Sequence, residues 1–352
     1  MQMQKTLIII AGILIVGVIA IYSSQNFSEK NAADQNIAEQ SSPDKSISES
    51  CDRACLEGFV EQYLDAVAAR DPSRAPLSPH VRFTENSQLL RVGDGFWATC
   101  NRRGVYSHVA ADPSTQQAGV IGVMRENDVA VIFGLRIKLE DGLISEAETV
   151  VSRDPILFYK DGPQKLEAMG KPLPTWLETV PPAERPPREE MIAAADAYFQ
   201  TLERNDGMVR APVAPECDRM DNGVMATHAP EFDKAGDPPF YALGPAEQFA
   251  TGYFRFVTRV RDRRFPVVDE EYGVVFSLCF LDHAGAIHQL ELTDGRIVPI
   301  GVKRPFAWQI MEMFKITGGQ IRQIEVLLNQ SFYGMRPGWP AAASEQAPSV
   351  ST

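Results

Sequence analysis

The second half of the chain carries a run of charged residues, from Arg261 to Asp269, that could perform acid–base chemistry. Arginines such as Arg261 and Arg263 could bind a carboxylate or an enolate through paired N–H groups. Asp269, or His283 further along the chain, could act as the base that removes a proton. The alternative is an exposed salt-bridge network beside a hairpin. The run predicts a catalytic set of Arg263, Asp269 and His283, with Arg261 as a substrate-binding residue.

A second candidate group lies in the first half of the chain, where Arg82, Glu85 and Asn86 stand within five residues. A buried glutamate beside an arginine is held ionised and could act as a base, while the arginine and the asparagine bind substrate. The alternative is a structural ion pair. The pair Glu85-Asn86 is echoed 136 residues later by Asp221-Asn222, and such repetition favours a scaffold role.

A third candidate is His108, which Tyr106 precedes by two residues. If the segment is a strand, both side chains lie on the same face of the sheet. Facing inward, they would form a tyrosine–histidine acid–base pair, and facing outward they would be polar surface residues.

Tyr63, Tyr198 and Tyr253 occur at helical spacing among apolar residues and are candidate substrate-binding residues, although core packing is the alternative. His283 and His288, five residues apart, would lie on opposite faces of a strand, which disfavours a shared metal. The chain lacks the glycine-rich dinucleotide motif, the P-loop, the nucleophile elbow and the HExxH motif. We therefore expect no cofactor and no metal.

The composition indicates a folded protein that does not bind nucleic acid. The chain has 352 residues, of which 44% are hydrophobic and 23% are charged, which is typical of globular domains. Its net charge of −12 argues against nucleic acid, because binding phosphates requires a basic face.

The N-terminus carries an unbroken apolar run, Leu7–Tyr22, that follows Lys5. This run predicts a membrane anchor or a signal segment over residues 1–22, and the anchor is favoured because a small-residue cleavage site is missing. The lysine on its near side places the rest of the chain on the periplasmic or extracytoplasmic side. The polar residues 23–50 that follow predict a disordered tether.

Five cysteines are present. Cys51 and Cys55 lie four residues apart at the start of the first helix, where a regular helix would hold them too far apart for a relaxed disulfide. A frayed first turn would bring them together, so both states stay open. Cys279 is expected to be a small buried residue, and Cys100 and Cys217 have no assigned partner.

The chain repeats its own pattern once. The apolar residues of one helix return 135 residues later: Leu56, Phe59, Val60, Tyr63, Leu64 and Val67 correspond to Met191, Ala194, Ala195, Tyr198, Phe199 and Leu202. The segment Arg74–Pro79 returns as Arg210–Pro215, and Lys138–Glu148 returns as Lys315–Glu325. A period this long indicates two whole domains, because solenoid repeats are only 20 to 50 residues long.

Each copy opens with an amphipathic helix, Asp52–Arg70 or Arg188–Arg204, and ends in strands. The expected strands are Ala118–Met124, Val129–Leu139 and Leu143–Ser152, then Gly273–Leu281, Ala307–Ile316 and Gln320–Asn329. The domains are expected at 51–155 and 188–334, joined by a proline-rich linker over 156–187, with a disordered tail over 335–352. The second copy has an insertion near Ala284–Lys303.

This layout resembles the SnoaL-like branch of the nuclear transport factor 2-like (NTF2-like) superfamily. The resemblance rests on the opening helix Cys55–Ala66, on Val81–Asn86 and on the closing strands with Gly142-x-Ile144-x-Glu146-x-Glu148. It implies an α+β fold of two tandem cones, in which a curved antiparallel sheet packs on N-terminal helices around an apolar pocket.

Relatives of this kind include ketosteroid isomerase, scytalone dehydratase and polyketide cyclases, as well as non-catalytic proteins. The resemblance therefore implies a cofactor-independent lyase, isomerase or cyclase that acts on a small organic ligand. The alternative is a non-catalytic ligand-binding or assembly module, and a homodimer is possible. We expect the second copy to carry the working site, because it has the charged run and the insertion.

Overall fold

The computed structural model describes residues 50–153, 160–233 and 239–339, which belong to one compact unit. None of the helices in these ranges is long and apolar enough to span a membrane. The predicted anchor and tether lie outside the described residues.

The described residues form an α+β fold built on two six-stranded sheets of identical strand order, which confirms the predicted fold class. The first sheet has the order β2-β1-β6-β5-β4-β3, formed by β1 (Leu77–Glu85), β2 (Gln88–Leu90), β3 (Cys100–Asp112), β4 (Gln117–Glu126), β5 (Val129–Glu140) and β6 (Leu143–Ser152). The second has the order β8-β7-β14-β13-β10-β9, formed by β7 (Val213–Asp221), β8 (Val224–Met225), β9 (Arg259–Asp269), β10 (Val274–His283), β13 (Phe306–Thr317) and β14 (Gln320–Ser331). Each sheet is mixed rather than purely antiparallel, because its first long strand runs parallel to its last.

The two sheets also agree in register. In the first sheet, Glu85, Thr149 and Leu135 lie side by side on three neighbouring strands. In the second sheet, Asp221, Val326 and Glu312 occupy the corresponding places. The equivalent pairs that matter below are Phe83 with Arg219, Glu85 with Asp221, Leu135 with Glu312, and Glu148 with Glu325.

One long helix packs against each sheet. The helices are α1 (Arg53–Ala69), α2 (Phe96–Thr99), α3 (Gly162–Met169), α4 (Arg188–Arg204) and α5 (Pro245–Ala250). The opening helices α1 and α4 occur where their apolar spacing predicts, and each buries that apolar stripe against its sheet. The side chains enclosed between α1 and the first sheet form the first cone interior, and those between α4 and the second sheet form the second cone interior.

The opposite faces of the two sheets pack against each other along a contact that we call the seam. Its buried core draws on both sheets and on the linker: Tyr106, Ile121, Val123, Ile132, Trp176, Val267, Phe276, Leu278, Met311, Met313 and Leu327 are among its members. Glycine permits this close approach, since a Cβ at Gly119 would come within 2.6 Å of the Phe276 ring. Each sheet is therefore covered on both faces.

Two reciprocal ion pairs lie side by side where the end of β3 meets the end of β9 in the seam. Arg53, at the start of α1, binds the carboxylate of Asp269, whose Oδ2 also accepts the Ala111 N–H (3.1 Å). In the mirror arrangement, Arg188 at the start of α4 binds Asp112 (2.6 Å), and Oδ2 of this aspartate accepts the Val268 N–H (2.9 Å). Such reciprocity is typical of an isologous dimer interface, but here it lies within one chain.

The equivalent glutamates Glu148 and Glu325 also reach across the seam. Glu148 receives two hydrogen bonds from Arg264 (2.5 and 3.1 Å). Glu325 accepts a hydrogen bond from the Tyr106 hydroxyl (2.9 Å), and its carboxylate lies 2.6 Å from Nδ1 of His108. Both carboxylates are buried, so these contacts stabilise the seam and do not face solvent.

The remaining segments lie around the sheets. The insertion forms a small hairpin of β11 (Gln289–Glu291) and β12 (Ile297–Pro299). The C-terminal prediction was wrong at its start, because Trp339 is buried between the guanidinium groups of Arg82 and Arg136 (4.8 and 4.6 Å from its ring). Its indole N–H also donates to the Thr84 hydroxyl (2.8 Å). Residues 335–339 are therefore an ordered part of the fold.

Cys51 and Cys55 form a disulfide with a Cα–Cα distance of 5.3 Å. Cys51 precedes the helix cap Asp52, so it is free of helical geometry, and this resolves the alternative that the sequence left open. Cys100, Cys217 and Cys279 are buried free thiols.

Candidate functional site

The second cone interior contains a buried polar group centred on Arg219, which we call the Arg219 cluster: Tyr198, Arg219, Asp221, Gln248 and Glu312. Arg219 Nε donates to Asp221 Oδ1 (3.0 Å), Nη1 to the Tyr198 hydroxyl (3.4 Å) and Nη2 to Gln248 Oε1 (3.0 Å). Three structural elements supply these partners: α4, β7 and α5. The guanidinium group is thereby fixed on several sides.

Glu312 lies on β13 between Ile310 and Phe314, which point into the second cone interior, so its side chain has the same direction. Burial raises its pKa well above the usual range, the charge of Asp221 raises it further, and Arg219 opposes the shift. Burial thus favours the protonated, uncharged form of Glu312, and its carboxyl group lies close enough to Asp221 and Arg219 for both charges to act on it.

Gln248 sets the orientation of Arg219. It is fully buried, and its amide nitrogen donates to the carbonyls of Ala226 (2.8 Å) and Phe240 (3.0 Å). Because the nitrogen is committed to two carbonyls, the amide oxygen must face Arg219. This arrangement places one end of α5 in direct contact with the site.

Aromatic rings surround the polar groups of the cluster. The Tyr198 ring packs against Phe249 and Phe314, with centroids 5.0 and 5.2 Å away, and Phe254 lies 5.7 Å from the Arg219 guanidinium carbon. Burial raises the pKa of Tyr198, so its hydroxyl keeps its proton. Tyr253 packs on Phe240 (4.6 Å) beside this wall, and burial raises its pKa as well. The setting is apolar, with a few fixed polar groups.

Side chains fill the first cone interior. Its remaining space is about 10 Å³, room for one water molecule. The Trp97 indole donates to the Tyr63 hydroxyl (3.1 Å) within this apolar packing. The positions equivalent to Arg219 and Glu312 hold Phe83 and Leu135. The arginine and the buried acid of the second cone therefore have no counterparts in the first cone.

The predicted catalytic set in the second half is not brought together. Asp269 lies in the seam, bound to Arg53, and faces neither cone interior. Arg263 pairs with Asp196 (3.3 Å) on α4. Arg261 binds Asp282 (2.9 Å) near the start of β9. Register shifts in this part of β9 break the regular alternation, so Arg261 and Arg263, two residues apart, reach different carboxylates. The charged run therefore supplies separate ion pairs.

His283 faces the second cone interior but lies six residues beyond Ser277, the partner of Glu312 in the register of the sheet. That spacing corresponds to roughly 20 Å along the strand. The imidazole stacks on Phe306 at 4.4 Å, and Nδ1–H donates to the Leu281 carbonyl (3.0 Å). Burial lowers the pKa of His283 to about 4. His283 is thus neutral and outside the Arg219 cluster.

This buried histidine predicts a loss of stability in acid. Because its folded pKa of about 4 lies below its usual value, protonation favours the unfolded chain, so stability falls as the pH drops from 6.5 towards 4. The contribution of this group is up to about 3 kcal/mol. His283→Phe should reduce the acid loss in urea-melting series at pH 7 and pH 4.5. His288→Gln, at an exposed position, is the control and should leave the loss unchanged.

The candidates of the first half occupy structural places. Glu85 accepts the Phe96 N–H (2.6 Å) and pairs with Arg153 (2.7 Å), not with Arg82 as expected. Arg82 points to the opposite face and packs on Trp339. Asn86 bridges to the Val151 backbone through both ends of its amide (2.8 and 3.2 Å). Asn222 makes the same bridge to Leu328, which agrees with a scaffold role.

His108 and Tyr106 share one face of β3, as predicted, but that face is the seam. Neither alternative from the sequence is met, because the pair points into neither a cone interior nor solvent. The Trp176 ring of the linker packs on His108 at 4.5 Å. The pair is therefore part of the contact between sheets.

Sequence reasoning named Tyr198 but missed Arg219, Asp221, Gln248 and Glu312 as site residues. The signal was present in the repeat: Phe83 and Leu135 of one copy correspond to Arg219 and Glu312 of the other. A charge that replaces an apolar residue at an inward position requires an explanation. No group of three or more metal-ligating side chains occurs among the described residues.

Comparison with known proteins gives limited matches. A family model described as a domain of unknown function, DUF8021, matches residues 184–328. No curated protein matches the chain. Among solved structures, the chain is similar to a putative polyketide cyclase from Xanthomonas campestris pv. campestris, with 15% identity over 40% of this chain and 92% of that one (TM-score 0.26). It is also similar to an epoxide hydrolase, described as LEH-like, from M. tuberculosis, with 12% identity over 40% and 84% (TM-score 0.23).

Proposed function

We propose that the second cone performs cofactor-independent acid–base catalysis on a small organic substrate, as a lyase, isomerase or cyclase would. The observation that carries this proposal is the replacement of Phe83 and Leu135 by Arg219 and Glu312 at equivalent inward positions. A buried acid lowers the folding stability of a protein, and residues that lower stability in this way are kept mainly at active sites.

The proposed roles follow from protonation and position. Glu312, whose uncharged form burial favours, would donate a proton to an oxygen of the substrate, such as a carbonyl that becomes an enol. Asp221 would take a proton from the neighbouring carbon, while Arg219 compensates the carboxylate charge. Their strands are separated by one strand, so the two Cα atoms are roughly 10 Å apart, with the side chains on one face. The acid and the base would thus flank a small molecule.

We further propose that the chain consists of two tandem SnoaL-like domains, residues 51–155 and 188–334, and that only the second is active. The filled interior of the first cone supports a scaffold role for the first domain. The apolar segment Leu7–Tyr22 would hold both domains at the extracytoplasmic face of a membrane. This location, like the possible homodimer, stays a prediction from sequence.

The proposed function predicts exchange of carbon-bound protons. The full chain in D₂O should accelerate deuterium uptake at the carbon next to the carbonyl of small cyclic ketones, followed by NMR. Asp221→Asn should reduce the enzyme-dependent rate at least 100-fold, because a general base contributes about 10²–10⁴-fold.

Glu85→Gln, at the equivalent position of the first cone, is the matched control and should keep the rate. Ketones that bind to the wild type, seen as line broadening, without any exchange would favour the non-catalytic ligand-binding alternative. Loss of exchange in Glu85→Gln, with Asp221→Asn active, would place the site in the first cone.

A further inference from the structure

The disulfide brackets an arginine that joins the two sheets. Arg53 lies between Cys51 and Cys55, and it binds Asp269 and Glu271 (Nε to Oε2, 2.9 Å) of the second half. Its guanidinium also stacks on the ring of Tyr272, 4.4 Å from the centroid. The cross-link thus closes a short loop around Arg53, which contacts three residues of the second half across the seam.

The reciprocal ion pair beside it provides an internal comparison. Arg188, the counterpart of Arg53, pairs with Asp112 (2.6 Å), yet no disulfide brackets it. Pro186 and Glu190 stand at the positions that correspond to the two cysteines. Proline limits the backbone before α4 without any cross-link. One arginine is therefore held by a bond that a thiol can break, and the other is not.

The disulfide is open to attack from one side. Cys55 is exposed, whereas Cys51 is buried and its backbone N–H and carbonyl are both bound by the Gln116 amide (2.8 and 2.9 Å). A thiolate of a dithiol can attack Cys55 Sγ, which releases the Cys51 thiolate and forms a mixed disulfide. The second thiol then displaces Cys55, so the dithiol is oxidised to a cyclic disulfide while two electrons reduce the cystine.

We propose that Cys51–Cys55 is a thiol–disulfide exchange site whose oxidised state holds Arg53 in place across the seam. In the reduced state, the first turn of α1 is free to fray, and Arg53 loses part of its contact with Asp269 and Glu271. The contact between the sheets is then weaker where Arg53 crosses the seam, while the pair of Arg188 with Asp112 has no cross-link to lose. The site is built for dithiol reductants of either small-molecule or protein origin.

The test compares melting temperatures of the full chain with and without dithiothreitol in three backgrounds. Reduction should lower the wild-type value by more than the roughly 3–6 °C that loss of a short cross-link alone accounts for in a protein of this size. In Arg53→Ala, only that cross-link contribution should remain, so the shift on reduction should be clearly smaller than in the wild type. In Arg188→Ala, the matched control, the full shift should remain.

Two further variants keep the test decisive. Cys51→Ser/Cys55→Ser should melt like the reduced wild type and should not respond to dithiothreitol. If Arg53→Ala does not fold, Glu271→Gln, which removes a half-exposed partner of Arg53, takes its place and should reduce the shift in part. An equal shift in the wild type, Arg53→Ala and Arg188→Ala would overturn the proposal, as would a wild type that reduction leaves unchanged.

Discussion

Glu312→Gln is expected to reduce proton exchange at small ketones by about 10²–10⁴-fold, the range for loss of one general acid or base. The amide keeps the shape of the side chain but has no acidic proton to give. Since burial favours the uncharged form of Glu312, the neutral amide matches that form in charge as well as in shape. The melting temperature should therefore stay within a few degrees of the wild-type value, which separates lost chemistry from lost structure.

Glu312→Leu is the matched stability variant, because Leu135 occupies the same position in the first cone. If the acid is present for function, leucine should stabilise the protein by about 1–2 kcal/mol while abolishing exchange. Leu135→Glu, the reverse change, should destabilise it by several kcal/mol, since Phe83 offers the new acid no cation. A marked loss of stability in Glu312→Leu would instead show that the Arg219 cluster is structural.

Much of the architecture could be predicted from the sequence because apolar periodicity is a local signal. The buried face of α4 was predicted from the spacing of its apolar residues, and the helix begins and ends where predicted. The strands β5 and β13 differ by only a few residues from their expected bounds. Helices and strands that bury one regular face can be predicted from this periodicity, whatever their tertiary arrangement.

The seam could not be predicted in the same way. Tyr106 and His108 were correctly placed on one face, but periodicity does not tell whether the partner of that face is a helix, solvent or a second sheet. Glu325, the residue that both contact, lies more than 200 residues away in sequence. The same limit applies to Asp269, whose partner Arg53 comes from the other end of the chain.

The site was misplaced for a related reason. The high density of charge favoured Arg261–Asp269, yet register shifts in β9 separate its arginines, and each binds its own carboxylate. Glu312 stands alone among apolar neighbours in the sequence, whereas Arg219, 93 residues earlier, lies between Asp218 and Asp221. A position-by-position comparison of the two copies, restricted to inward-facing residues, would have detected both. Differences between repeats are thus more informative about function than their similarities.

Asp269→Asn is expected to cost about 2–3 kcal/mol of folding free energy, because it removes a buried carboxylate that accepts charge-assisted hydrogen bonds. Asp269 is 1% exposed, and Arg53 keeps its pairs with the more exposed Glu57 and Glu271 and its stack on Tyr272. Asp112→Asn should have a similar cost, since it breaks the reciprocal pair with Arg188. Burial opposes ionisation of Asp112, but hydrogen bonds from Arg188, Ser114 and the Val268 N–H outweigh it and lower its pKa.

Glu216→Gln is the control for these two variants, because its pair with Arg322 is exposed and should contribute less than about 1 kcal/mol. Chemical denaturation of all three proteins at pH 7 measures the difference. Since the two seam pairs lie side by side, with Asp269 bound to the Ala111 N–H and Asp112 to the Val268 N–H, their costs should not add fully in Asp112→Asn/Asp269→Asn. If Asp269→Asn were as stable as Glu216→Gln and yet lost ketone exchange, Asp269 would be catalytic, as its place in the charged run first suggested. Loss of stability with exchange retained in the folded fraction assigns Asp269 to the seam.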